Sequence, residues 1–549
     1  MIKFLRLSLL LFFISLTFVP AQELPTIAFK TKNMKKYEGF FNFYWNEKRG
    51  EIWLEIDKMD QEFLYINSLP AGVGSNDIGL DRGQLGDTRV VKFQRVGPKL
   101  LMVQPNYDYR ASSEDKDEQA AVELAFAKSV IWGFEVGAQE EGRVLVNATK
   151  FLLRDAHGVS RTLKNRRQGS YQLDASRSAF YLDKTRNFPE NTEMEATLTF
   201  TGQAEGTYIR QVVPSPEAVT VRQHHSFVKL PDDQYEPRAF DPRVGYFGIR
   251  YQDYATPLSE PLTKRFISRH RLIKKDKNAE KSEVVAPIIY YIDRGTPEPI
   301  RSAMFEGAKW WAEAFEEAGF LGGFQVKLMP EGADPMDVRY NVVQWVHRST
   351  RGWSYGASVR DPRTGEIIKG HVTLGSLRLR QDYLIAEGLL APYEAGKPVS
   401  PDMQEIALAR LRQLVAHEIG HTLGLSHNFA ASMNNRASVM DYPHPYFNLI
   451  ANQRIQWSNA YDTGIGEWDK VSIAYGYSQF KNQQEEQTGL GAIIKNSFSL
   501  GLSFISDADA RPLGSAHPQA HLWDNGNENE FLMIAPRPVC SSCWFLNWL

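Results

Sequence analysis

Cysteine is almost absent from this chain of 549 residues: there are two, Cys540 and Cys543. A framework of spaced disulfides is excluded, so folding does not depend on one. The lone C-x-x-C fits a strained local disulfide, two free thiols or half of a metal site, and no function is assigned to it. Charge imbalance is absent too. Lys plus Arg is 63 and Asp plus Glu is 65, a net charge of -2, which gives no electrostatic argument for nucleic acid or an anionic membrane as partner. There is no internal repeat and no low-complexity tract. After the N-terminus no apolar run reaches the roughly 20 residues a bilayer span needs. Hydrophobic content of 43% and charged content of 23% are those of a soluble globular protein, and the length implies two or three domains.

The one long apolar run opens the chain. Lys3 and Arg6 precede Leu7 to Val19, and Val19-Pro20-Ala21 offers small residues for a signal peptidase. Residues 1–21 are read as a signal peptide cleaved after Ala21. The mature protein is expected to be exported, periplasmic or secreted, with no membrane span after cleavage.

What the chain does have is one dense motif, His417-Glu418-Ile419-Gly420-His421-Thr422-Leu423-Gly424-Leu425-Ser426-His427, or H-E-x-x-H-x-x-G-x-x-H. Residues four apart share a helix face, so His417 and His421 can bind one ion together. Glu418 is placed to take a proton rather than to bind metal. Gly424 permits positive φ, so the helix stops and the turn returns His427 as third ligand. Three histidines with an open fourth position are the donor set of a catalytic Zn²⁺, one ion per chain. By chance, five such letters should occur in only about one in 10⁴ to 10⁵ chains of this length.

Thirteen residues past His427 comes Met440, in Ser438-Val439-Met440-Asp441-Tyr442. The long histidine motif followed by such a methionine turn resembles the metzincin clan of zinc endopeptidases. The resemblance implies a Met440 beneath the metal site. It also implies a Tyr442 near the zinc, as a stabiliser of the transition state. The layout is similar to that of exported bacterial zinc metallopeptidases with long N-terminal regions. Asn428, after the third His, differs from the better-known metzincin families. The stretch His521 to Gly526 is similar to one after which those relatives continue, whereas here Phe531 to Leu549 forms an apolar, Trp-rich tail.

The fold class expected is α+β: a metzincin-like catalytic domain preceded by a β-rich N-terminal region. Residues 22–110 read as β-rich. Ile52, Leu54 and Ile56 alternate as in a half-buried strand, and hairpin signals lie at Glu47–Gly50 and Gly97-Pro98. Residues 111–275 read as mixed, mostly β. Ser112 or Ser113 is expected to cap a helix with a stripe of Val122, Phe126 and Val130. His224 and His225, adjacent in a strand, point to opposite faces and cannot share a metal. The charged run from Lys274 to Ser282 marks a boundary.

Residues 284–480 read as the catalytic domain. Ala286–Asp293 is a strand, and Thr296 with Pro297 begins a helix faced by Ile300, Met304, Ala308, Trp311 and Phe315. Further strands precede a hairpin turning at Asp361–Gly365, and a helix from Ser400 carries the motif. A hairpin strand at the sheet edge could pair with an extended peptide. Gly466 to Gly476 resembles a final metzincin helix. Residues 481–549 read as a C-terminal extension, truncated or altered. Within it Asp507, Asp509, His517 and His521 form a minor second-metal hypothesis.

The function expected is hydrolysis of extracytoplasmic proteins or peptides through metal-activated water, with Glu418 as general base. The rivals are a binding protein on an inactive zincin scaffold and a zinc hydrolase of non-peptide amides. A cysteine-switch propeptide is excluded, since no Cys precedes 540. Asp241 is a candidate carboxylate latch for any latency. Oligomeric state and cleavage specificity stay open.

Overall fold

The computed structural model describes residues 24–350, 352–390, 400–450, 454–514, 517, 519, 520 and 523. The expected signal peptide, His521, Cys540 and Cys543 lie outside the described residues. The architecture is mixed α+β, with a β-rich N-terminal part and a helix-backed catalytic sheet.

Thirteen strands between Lys35 and Lys229 form one antiparallel sheet. Its hairpins follow from the turn chemistry: Phe43–Asn46 pairs with Glu51–Ile56, and Gln84–Val96 with Lys99–Gln104. The strand Glu51–Ile56 differs from its half-buried reading. Trp53 and Glu55 are buried as well. Trp53 packs with Ile27, Tyr44, Ala138 and Leu145, while Glu55 accepts hydrogen bonds from Tyr44 (2.5 Å) and Arg143 (2.7 Å). A polar letter on a strand thus marked a paired buried carboxylate, not solvent.

The helix expected after Ser113 also differs. Asp115 is its cap, accepting from the amide of Asp117 at 2.9 Å, and the helix Lys116–Ala125 buries no residue. Val130 belongs to the next strand, Ser129–Glu140. His224 and His225 take opposite faces of the strand Ala218–Lys229. The first lies between Glu193 and Glu195, the second against Tyr65.

The second sheet has six strands. Its parallel order is Phe324–Leu328, Ile288–Ile292, Asn341–Val346, Glu366–Gly375. The short strand Arg269–His270 joins the start of Glu366–Gly375, and Tyr355–Arg360 runs antiparallel to that strand at the sheet edge. Tyr290, Val343, Trp345, Val372 and Leu374 face the helices. The alternate residues Val342, Gln344 and His371 face the other way. There Val338 and Val359 pack against Leu64, Ile66, Val90 and Val228, so the large sheet covers the back of the catalytic one.

The backing helix starts at Ile300 rather than Thr296, because Pro297 and Pro299 occupy its entry. It breaks at Trp310 into Ile300–Lys309 and Trp311–Glu317. It still buries the expected face, and the Trp311 indole donates to Ala416 O at 2.8 Å. The active-site helix, Asp402–Thr422, begins with acidic residues in its first turn and is buried nearly all round from Gln413 to Gly420. The helices Ser376–Leu390 and Gln483–Ser499 carry no clear signal in the sequence.

The apolar core of the catalytic part crosses the expected boundary at 275–284. Val244, Tyr246, Ile267 and Leu272 pack in one cluster with Trp311, Val415, Ile419 and Met440. Tyr246 donates to Ser472 O (2.9 Å), and Arg238 donates to Tyr475 O (2.6 Å) and Ser478 O (2.8 Å).

Candidate metal centre

The active-site helix ends at Thr422, and Gly424 has φ +105°. A side chain there would be strained by its φ and blocked by contact. A Cβ on Gly424 would stand 1.9 Å from Ser268 O. The turn is pinned from the N-terminal part: Phe247 N donates to Gly424 O and Ser426 N to Gly245 O, both at 2.7 Å. His427 emerges from this turn facing His417 and His421.

The three histidines each offer a ligand atom, and these atoms lie within 4.8 Å of one another. Their outer nitrogens are already engaged. His417 Nδ1 meets Val439 O at 2.8 Å, His421 Nδ1 meets Leu425 O at 2.8 Å, and His427 Nδ1 meets an Asp507 carboxylate oxygen at 2.7 Å. Donation from each Nδ1 fixes the tautomer that leaves Nε2 as a lone pair. His427 Nε2 is buried and has no partner among the described residues. An orphaned buried nitrogen beside two convergent imidazoles is what a bound cation would satisfy, and three neutral nitrogens suit Zn²⁺. Burial holds His417 well below the usual histidine range, with His421 and His427 adding to the effect. Burial and His427 bring His421 down to about 4.

Glu418 is buried beside the first histidine. Burial pushes its carboxyl up to about 8, opposed by the Arg410 guanidinium and by the backbone amide of Gly356. Gly356 belongs to the edge strand Tyr355–Arg360 and packs so tightly on the helix that a Cβ would lie 2.2 Å from Glu418 O.

Met440 is fully buried against the opposite side of the helix, at Gly420. Asp469 holds the turn around it, accepting from Ser438 Oγ (2.5 Å), Val439 N (2.8 Å) and Gly466 N (3.0 Å). Burial raises the Asp469 carboxyl to about 7, against those three donors. Val439, so fixed, presents the carbonyl that His417 uses. Tyr442 follows: its ring centroid is 4.5 Å from that of His427 and 5.5 Å from that of His417.

Residues 400–531 match the Met-zincin family model. The metzincin resemblance therefore rests on that match as well as on the motif. Two further family models match the N-terminal part, both domains of unknown function: DUF5118 over 25–72 and DUF5117 over 83–275. No curated protein matches the chain.

Around the three histidines two residues make contacts that the motif did not reveal. Asn428, fully buried, donates to Ser503 O (3.0 Å) and accepts from Ile505 N (3.2 Å), while its own amide donates to Met440 O (3.0 Å). Asp507 accepts the hydrogen bond of His427 Nδ1. Asp509 caps its own short helix through Ser506, and His517 is exposed. Among the described residues the three histidines are the one group with metal-ligand spacing. Asp241, the latch candidate, is taken up by Arg243, which donates to it from Nε (2.8 Å) and Nη2 (2.7 Å). No described helix is long and apolar enough to cross a membrane.

Proposed function

We propose that this protein is a zinc-dependent endopeptidase of proteins or peptides outside the cytoplasm. The observation that carries the reading is the convergence of three tautomer-fixed imidazoles beside a buried carboxylate. His417, His421 and His427 would hold the metal through Nε2. Zn²⁺ held there would supply Lewis acidity and a water nucleophilic at neutral pH.

Glu418 accepts the proton of the attacking water and passes it to the leaving amine. Tyr442 donates its hydroxyl to the oxygen that gathers charge as the carbonyl is attacked. The strand Tyr355–Arg360 ends the catalytic sheet, pairing with Glu366–Gly375 alone among the described strands. Its other edge offers backbone groups to an extended peptide. Export rests on the apolar leader at residues 7–19.

The test is a pair of measurements on the purified chain: zinc content, and cleavage of a denatured protein with and without chelator. Glu418→Ala should keep about one Zn²⁺ and lose about 10²–10⁴ in rate. Wild-type rates in that variant would remove Glu418 from the reaction. Hydrolysis of simple amides with no cleavage of peptides would favour the non-peptide alternative.

A further inference from the structure

The three ligand imidazoles are not held alike. Two donate to backbone carbonyls, His417 to Val439 and His421 to Leu425. The third donates to a carboxylate 80 residues downstream, Asp507. We propose that Asp507 is the positioning residue for the third ligand, fixing His427 with Nε2 toward the metal and strengthening it as a donor. The affinity of the centre is thereby set from the C-terminal part of the chain. This rests on the zinc reading above.

Three observations support it. The first is the bond itself: at 2.7 Å it has the length of a charge-assisted N–H···O contact, in a site where His427 is mostly shielded from water. A carboxylate partner turns an imidazole into a better electron donor than a carbonyl does, and loss of such partners typically costs 10–100-fold in metal affinity.

The second is that Asp507 is not free to wander. Arg511 Nη1 donates to its other oxygen at 3.0 Å. The segment before it is stapled to the metal loop by Asn428, through Ser503 O and Ile505 N, and by Phe429 N donating to Ile505 O at 2.9 Å. Ile505 packs with Phe429 and Ala430, and Tyr442 lies against the same cluster. Asn428 immediately follows the ligand it serves, so the staple and the carboxylate act on one imidazole. The third is the unpartnered His427 Nε2. With Nδ1 committed to Asp507, the ring has one direction left in which to bind.

The experiment measures Zn²⁺ affinity of the full chain by competition with a chromophoric chelator, alongside the denaturation midpoint of the metal-free protein. Asp507→Ala should weaken Zn²⁺ binding about 10–100-fold, with the metal-free midpoint nearly unchanged. Asp507→Asn keeps an acceptor without the charge, so its affinity should fall between those of wild type and Asp507→Ala.

A double-mutant cycle separates positioning from general support. In a His427→Ala background Asp507→Ala should cost no further affinity, because the residue acts only through that ring. Additive losses would overturn the proposal, as would unchanged affinity in Asp507→Ala or a loss matched by a fall in the metal-free midpoint. If the wild-type chain itself fails to bind Zn²⁺ tightly, the zinc reading falls, and the proposal with it. Tight wild-type binding that Asp507→Ala leaves unaltered defeats the proposal alone.

Discussion

A Cβ placed on Gly420 would stand 2.2 Å from the sulfur of Met440 and 2.9 Å from the ring of Trp311. The active-site helix thus lies on the methionine turn with no space between them. Gly420→Ala should cost about 1–3 kcal/mol as overpacking. Met440→Ala alone should cost about 2–5 kcal/mol as a cavity. Combined, the two should cost less than their sum, since the shortened side chain makes room for the added methyl. Denaturant midpoints of the four proteins give the interaction, and additivity within about 0.5 kcal/mol would show that the contact does not govern this packing.

Tyr442→Phe keeps the ring that packs near His427 and removes only the hydroxyl. If that hydroxyl serves the oxyanion, kcat should fall about 10²–10³ with KM little changed. Zinc content should stay near one, because the histidines are untouched. The Trp523 ring stacks on Tyr442 at 5.3 Å, so the aromatic packing survives the substitution. A kcat within about threefold of wild type, far short of an oxyanion donor's contribution, would leave Tyr442 a packing residue.

His224 sits on the strand Ala218–Lys229, between two buried carboxylates. Burial opposes its charge, but hydrogen bonding to Glu193 (2.5 Å) and Glu195 (3.2 Å) prevails and raises it to about 10. The folded value exceeds the unfolded one, so the stability it confers is complete below about pH 6.5 and is lost as pH rises toward 10. The denaturation midpoint should decline over that window. In His224→Gln the decline should be shallower, although the protein starts less stable. Parallel curves for the two proteins would show that His224 is not charged in the fold.

Residues 22–275 should not be separable from the catalytic part. Ser268 O lies under Gly424, His270 Nε2 reaches Thr422 O at 3.1 Å, and Gly245 and Phe247 pin the metal loop. A chain starting at residue 276 should be unfolded or devoid of zinc, whereas removal of a propeptide would leave an active enzyme. Gly424→Ala attacks the same junction and should cost about 2–5 kcal/mol, from strain at positive φ and collision with Ser268. Zinc content and circular dichroism of both variants check this.

The parts of this molecule that were legible in its sequence are those specified by neighbours. The H-E-x-x-H-x-x-G-x-x-H spacing, the turns at Glu47–Gly50 and Asp361–Gly365 and the face of the backing helix all act within a few residues. What escaped was specified at long range. The helix Ser376–Leu390 buries only Asp382 and Ala386 fully, so it shows no apolar stripe to read. Glu55 looked solvated until Arg143 and Tyr44 were brought to it by strand pairing. Asp507 reads in sequence only as part of a second-metal hypothesis, and Asn428 as a departure from other families, because their partners are about 75–80 residues away. Nothing in local spacing encodes such a contact.

The reach of those contacts also orders the assembly of the centre in time. A nascent chain that has emerged only as far as His427 has its three histidines but lacks Met440, Asp469 and Asp507. Each arrives later, the last after 80 more residues have been made. Contacts that close long loops form late. The emerging polypeptide therefore carries its three histidines before it carries the residues that fix two of them, Asp469 through Val439 and Asp507 through His427.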